Sequence, residues 1–381
     1  MYLTKEEERL LESDNPTIAK SMEILVALGE IFGAEKLIPV KSAQISGISY
    51  QNIGDAGLEW LESLDARVKV PAMVNPAGMD VERWKEMGID EGFYRKQMRI
   101  LKALEKLGAE LTLTCTPYYV YPPSYGDHLA WAESSAVIYA NSVIGARTNR
   151  ESGISAIASA IIGKTPYYGM HVKENRAPNI LIEVKGELKD ADVSALGFQI
   201  GNELKHNEIP IFRLPRNLTN DELKLLGAAM ASTGNTAIFH VEGQTPEWKD
   251  FQMPDEKIEF DIKEMRFECE PDLIALGCPH LSKEELLKVL EILQSGGKKV
   301  KRELWLFTSR KISEENKEIV KKIESFRAKV FNDTCMVVSP ATEAYECVMV
   351  NSGKALTYLP KLRKVNVAFG SLEECVRRAL Q

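Results

Sequence analysis

The stretch Asp272-Leu-Ile-Ala-Leu-Gly-Cys278-Pro-His-Leu-Ser-Lys-Glu-Glu285-Leu-Leu-Lys-Val-Leu-Glu-Ile-Leu-Gln294 reads as a buried strand feeding a helix. The run over 272–276 is short and apolar, and Gly277 and Pro279 end it. Ser282, with Glu285 three positions later, forms a capping box that starts a helix over 283–294. The same alternation repeats downstream, with a strand over 303–308, a helix over 314–326, a strand over 329–332 and a helix over 342–350. Ser313 is a second N-cap, although Asn316 does not complete a box. Successive βα units of this kind predict an α/β fold with a parallel sheet.

Upstream, apolar residues Ile18, Met22, Ile24, Leu25, Leu28, Ile31 and Phe32 recur at helical spacing over 16–32. A helix over 97–106 leads to a strand over 110–113 and an aromatic, proline-bearing loop over 115–126. Strands over 179–184 and 236–241 flank a helix over 221–231. The charged stretch 245–270 reads as a crossover between domains. Three regions follow: 1–105, mostly helical; 106–255, a middle α/β region with Cys115 and Glu133; and 256–381, an α/β region with Cys278 and Cys335. No repeat or low-complexity tract interrupts them.

With 381 residues, 44% of them hydrophobic and 27% charged, the chain can bury a large core without disulfide support. It opens on a charge-dense segment, and no run approaches the roughly 18 apolar residues of a transmembrane helix. A cytoplasmic protein with reduced thiols is expected, so its six cysteines are read as ligands or core residues. The net charge of −7 argues against a nucleic-acid partner but leaves room for a local anion pocket.

Cys115, Cys278 and Cys335 each follow an apolar, strand-like run. Thiolates at the carboxyl ends of strands can converge on one crevice even when they stand 163 and 57 positions apart. Proline follows closely in Cys115-Thr-Pro and Cys278-Pro, a setting known from iron-sulfur proteins. The competing reading is three ordinary buried cysteines, since no local CxxC pair is present. Cys347, on the helix over 342–350, and Cys375, in a terminal helix, suit core packing. Cys269 is a rival ligand, but Glu268 and Glu270 on either side disfavour a thiolate. Among His128, His171, His206, His240 and His280 there is no HxxxH pair, and no GxSxG elbow occurs. Only His280, two residues after Cys278, stands out. Either it orients a metal or substrate group, or it is a hydrogen-bonded loop residue.

The loop Ser42-Ala-Gln-Ile-Ser-Gly47-Ile-Ser-Tyr-Gln-Asn-Ile-Gly-Asp-Ala-Gly57 offers backbone donors before a helix from Leu58. Glu133 and Ser134 open a small-residue helix, where Glu133 either complements the helix dipole or, if burial raises its pKa, serves acid-base chemistry. Arg147 and Arg150, at the end of that helix, are anion-binding candidates or dipole-matching residues. Lys354 alone reads as a solvated lysine.

Five segments, Leu113-Thr-Cys-Thr-Pro-Tyr-Tyr119, Trp131-Ala-Glu-Ser-Ser-Ala-Val137, Tyr139-Ala-Asn-Ser-Val-Ile-Gly-Ala-Arg-Thr-Asn149, Gly277-Cys-Pro-His280 and Asn332-Asp-Thr-Cys335, occur in an order that resembles the aconitase X family over essentially the whole chain. The resemblance implies a multidomain aconitase-like fold with the active-site cleft between domains. It implies an iron-sulfur cluster, most simply a 4Fe-4S cluster on Cys115, Cys278 and Cys335 with one open iron. The family's substrate contacts fall on Gly47, Ile48, Ser49, Asn75, Pro76, Glu133, Ser134 and Lys354, with Glu133 and Ser134 as the catalytic candidates.

Without a fused swivelling domain, the chain looks like the large subunit of the family's two-subunit type, partnered by a small subunit that carries that domain. The implied reaction is dehydration of (R)-5-phosphomevalonate to trans-anhydromevalonate 5-phosphate in isoprenoid biosynthesis. Aconitase-like enzymes take the proton with a serine on the swivelling domain, so the base is expected on the partner. The alternatives are a hydroxyproline dehydratase, usually a longer fused chain, and a non-catalytic iron-sulfur or zinc-binding subunit.

Overall fold

The computed structural model describes residues 1–205, 207–234, 236–263, 265 and 269–381, without the side chains of 190 and 191. Its central element is the strand Leu273–Leu281. Leu273 and Ala275 point to one face, where they pack with Trp305, Phe307, Leu356 and Leu359. Ile274 and Leu276 point to the other, against Leu286, Val289, Cys375 and Val376. A strand buried on both faces is what a parallel sheet covered by helices requires.

Five parallel strands form this sheet, in the order Lys329–Phe331, Glu303–Thr308, Leu273–Leu281, Cys347–Val350 and Asn366–Phe369. The chain winds outward from Leu273–Leu281 in one direction and then, from Cys347, in the other. The crevice at such a reversal, outside the carboxyl ends of the strands, is where ligands bind in doubly wound sheets. Cys278 stands there. Regular pairing with Glu303–Leu306 stops at Leu276 and resumes only at Leu281 opposite Thr308. Gly277 makes the break possible: its φ is 110°, and a Cβ would lie 2.2 Å from the Phe307 carbonyl oxygen.

A second parallel sheet orders His240–Val241, Pro210–Arg213, Ile180–Val184 and Lys257–Phe260. A third has Ala72–Val74, Ala43–Ile45 and Ala130–Trp131. Leu37–Pro39 pairs antiparallel with Lys164–Pro166. Sheet membership therefore departs from the expected divisions at 105 and 255. Ala130–Trp131 joins strands of the first region, and Lys257–Phe260, inside the expected crossover, is an edge strand of the second sheet.

Several local expectations also change. Residues 110–113 form no regular strand: Leu113 turns at φ 44°, and the Thr112 hydroxyl takes over pairing with both Val74 N and Val74 O. Residues 342–350 are not a helix. A short 3-10 turn, Pro340–Ala344, precedes the strand Cys347–Val350, whose entry is held by Asp272 accepting from Glu346 N and Cys347 N. The helix expected over 314–326 is two, Arg310–Glu315 and Lys317–Ser325, and Ser309 rather than Ser313 caps the first. Asn316 separates them, its amide donating to Ile312 O.

The helix expected from Leu58 begins at Tyr50 and kinks at Gly54, φ 59°. The strand expected over 236–241 shortens to His240–Val241. Ser282 and Glu285 do form the expected capping box of Lys283–Gly296. Among the described residues, no helix is long and apolar enough to cross a membrane.

Candidate active site

Three approaches meet at the crevice. Cys115 follows the irregular segment beside Ala72–Val74, Cys278 lies within the break in Leu273–Leu281, and Cys335 follows the strand Lys329–Phe331. All three line a cavity of about 180 Å³. Gly47, Asn75, Pro76, Glu133, Ser134 and Lys354 line the same cavity. Residues from the neighbourhoods of two sheets, the three-stranded and the five-stranded, thus converge on one small space.

Ile48 and Ser49 do not line it. Ile48 is in the core, and the fully buried Ser49 donates its hydroxyl to Val338 O at 3.1 Å while its backbone caps the helix Tyr50–Ser63. They shape the loop rather than its surface. Gly47 has φ 75° with open space where a side chain would stand, so its backbone faces the cavity bare. Gln97, which sequence reading missed, fixes this loop from beneath. Its amide donates to Ile48 O at 2.9 Å and accepts from Tyr50 N at 3.0 Å and Gly78 N at 3.1 Å. One buried glutamine thereby ties the loop at 47–50 to the loop at 75–78.

The polar centre of the cavity is the ion pair between Glu133 and Lys354. Lys354 is 6% exposed, so the solvated reading from sequence does not hold. Glu133 caps the helix Ser134–Tyr139 and accepts from Asn75 Nδ2 at 2.7 Å, Ser134 Oγ at 3.2 Å and Ser135 Oγ at 3.3 Å. Gln44 orients Asn75 at 3.2 Å and accepts from Glu133 N at 3.0 Å. Burial alone would raise the Glu133 pKa, but Lys354 and the Asn75 bond outweigh it and hold the carboxyl down to about 2. Of the two readings of Glu133, the ionised carboxylate at the start of its helix is the one this favours, not the raised pKa. Lys354 is correspondingly held cationic, the pull of Glu133 exceeding the cost of burial.

Of the two arginines, Arg150 lines the cavity and Arg147 does not. The helix ends at Gly145 after a wide turn over Ala140–Ile144, so both arginines lie beyond it. Arg147 donates to His171 O at 3.4 Å, and Arg150 to Ala231 O at 3.3 Å.

Burial raises the pKa of each cysteine, with Cys115 reaching about 12, and for all three the chief opposing influence is the Lys354 charge. These are neutral thiols that a bound metal would have to deprotonate, as soft metals do. The donor set is three sulfurs, the chemistry of an iron-sulfur cluster. Among the described residues, no three His, Cys, Asp or Glu side chains form a group that could hold a metal ion.

The other cysteines lie elsewhere. Cys269 and Cys347 have Cα atoms 6.1 Å apart and form a disulfide, against the expectation that all six would be ligands or core thiols. The rival ligand Cys269 is thereby removed. Cys375 is buried in the helix Leu372–Leu380. Of the histidines, His280 is fully buried beside the cysteines, and burial lowers its pKa to about 4. His128 and His171 face each other at 3.0 Å in another part of the fold. His206 and Glu268 lie outside the described residues.

Models of the aconitase X first, second and third domains match residues 1–174, 178–270 and 271–381. The chain belongs to the aconitase X family. Its likeness to the phosphomevalonate dehydratase large subunit of Methanosarcina mazei is 51% identity over 100% of this chain and 97% of the relative. For the protein of the same name from Methanocaldococcus jannaschii the identity is 46% over 99% and 100%. A cis-3-hydroxy-L-proline dehydratase of Pseudomonas aeruginosa is 31% identical over 98% of this chain but only 69% of its own length. Among solved structures, the holo-form of Thermococcus kodakaraensis aconitase X superposes with a TM-score of 0.93 at 41% identity, each chain covered in full.

Proposed function

We propose that this chain is the large, cluster-bearing subunit of a hydro-lyase that converts (R)-5-phosphomevalonate to trans-anhydromevalonate 5-phosphate in cytoplasmic isoprenoid biosynthesis. The observation that carries the reading is one cavity lined by Cys115, Cys278 and Cys335 together with the Glu133–Lys354 pair. The full-length likeness to relatives of that name supports the substrate, whereas the hydroxyproline dehydratase is more distant and considerably longer.

Cys115, Cys278 and Cys335 would hold the cluster, which would supply Lewis acidity for loss of the hydroxyl. The chain's own residues prepare the rest. Lys354 offers a desolvated positive charge to an anionic substrate, and the bare backbone of Gly47 lines the same cavity with Asn75 and Pro76. Once substrate draws Lys354 away, burial dominates at Glu133 and its carboxyl gains proton affinity. It can then take a proton from solvent and give it to the departing hydroxide to make water, with Ser134 bonded beside it, and the partner's base later returns its proton to solvent. The proton removed from carbon goes to a base on the small subunit, so the loss of H and OH balances as alkene plus water.

The test is turnover of phosphomevalonate by the anaerobically prepared chain with and without its small subunit, read as alkene product. Product from the pair and little from the chain alone is expected. No product from an iron-loaded pair would overturn the assignment. Alanine at Cys115, Cys278 or Cys335 is expected to abolish iron binding and turnover together.

A further inference from the structure

The imidazole of His280 touches every cysteine approach at once. Its Nε2 lies 2.8 Å from the Thr334 carbonyl oxygen, one residue before Cys335. A carbonyl only accepts, so Nε2 carries the hydrogen, and Nδ1 accepts from the Thr114 hydroxyl at 2.9 Å, one residue before Cys115. The backbone N–H of His280, two residues after Cys278, donates to Cys115 Sγ at 3.2 Å. Thr114 is held in turn by Thr116, whose hydroxyl is 3.0 Å away and whose N–H donates to it at 3.2 Å. From the second sheet's side, Lys224 Nζ donates to His280 O at 3.2 Å. The ring is fully buried.

We propose that His280 is a positioning residue that sets the mutual placement of the Cys115, Cys278 and Cys335 loops before and after a cluster is bound. Three thiols supplied from remote parts of a chain need a common reference, and a doubly bonded neutral imidazole gives one with fixed direction. Backbone N–H groups of His280 on Cys115, and of Val337 and Val338 on Cys335, hold these two sulfurs in place. This proposal rests on the cluster reading above, but it concerns the loops even without iron.

The experiment uses the full chain and the variants Thr114→Val, His280→Gln and His280→Ala. Thr114→Val removes only the hydroxyl that Nδ1 accepts from, with little change of shape, and His280→Gln keeps an amide donor for Thr334 O. In the reduced, metal-free protein, alkylation of each cysteine by iodoacetamide is followed by peptide mass spectrometry. Cys375, in the core of the helix Leu372–Leu380, is the internal control.

For Thr114→Val, alkylation of Cys115 and Cys335 should rise at least roughly fivefold, the size expected for losing one buried hydrogen bond, since the hydroxyl also bonds Thr116, with Cys375 unchanged. His280→Ala should show a larger rise, and His280→Gln should fall between it and the native chain. After anaerobic reconstitution, iron per chain should fall and the visible spectrum should change in the same order. Unchanged alkylation and iron in Thr114→Val and His280→Gln would overturn the proposal, as would an equal rise at Cys375, which would mean general loosening. If His280→Ala fails to fold, the other two variants decide. If the native chain binds no iron, the ligand reading fails while the alkylation pattern still decides the role of His280.

Discussion

Glu133 and Lys354 illustrate how much one buried partner decides. Their side chains are 14% and 7% exposed, so neither charge is well solvated when alone. Removing Lys354 should be worse than removing both: Lys354→Met should cost about 3–5 kcal/mol in urea unfolding, and the double variant with Glu133→Gln clearly less. Equal losses in the single and double variants would show that the pair is not coupled. From sequence, Glu133 was recognisable through its family motif, but its charge state was not. The residue that sets it lies 221 positions away. Gln97 escaped notice for a related reason: an amide inside an amphipathic helix gives no signal until the two loops it binds are in place.

Among the elements, the strands and helices whose residues state their own pattern were readable, and those governed by neighbours were not. The capping box at Ser282 and the strand at Leu273 needed only local chemistry. Cys347-Val-Met-Val could have been read either way, and pairing with Leu273–Ile274 and Asn366–Phe369 made it a strand. Gly277→Ala should unfold the chain at lower denaturant by at least about 2 kcal/mol, because φ and the Phe307 carbonyl both exclude a side chain.

A second test concerns the first helix, Lys5–Leu11, whose Glu7 closes a capping box and pairs with Lys164 at 2.7 Å. Burial opposes ionisation of Glu7, but Lys164 and Thr4 overcome it and keep its pKa below the ordinary 4.5. A depressed carboxylate stabilises the fold above its unfolded pKa, and that stability is lost as pH falls through the folded value. Lys164→Met should therefore lower the thermal midpoint at pH 7 and flatten its decline below pH 4.5; an unchanged acid limb would count against the pair.

At the scale of the molecule, the domain regions are fastened by charged contacts that no local pattern announces. Lys224, fully buried, pairs with Glu285 and, at 3.0 Å, with Asp221, joining the second sheet's helices to the third region beside His280. Arg310 pairs with Asp333, whose carboxylate also receives Val81 N at 3.4 Å, while Asp80 receives Asn332 N at 2.8 Å. Lys224→Met should cost about 3–5 kcal/mol by leaving the buried Glu285 and the partly buried Asp221 without their cation. A change under about 1 kcal/mol in chemical unfolding would show that this contact does not hold the regions together.

The doubly wound order of the five-stranded sheet also bears on how the protein is born. Its founding strand carries Cys278, yet two of the strands around it, Cys347–Val350 and Asn366–Phe369, are synthesised after the last of the three thiols. Chains fold largely in the order they emerge. Cys115 is thus made long before the wall that completes its surroundings, and a nascent chain would carry an unfinished sulfur site for most of its synthesis. Insertion of the proposed cluster would then be an event of the released polypeptide, not of the growing one.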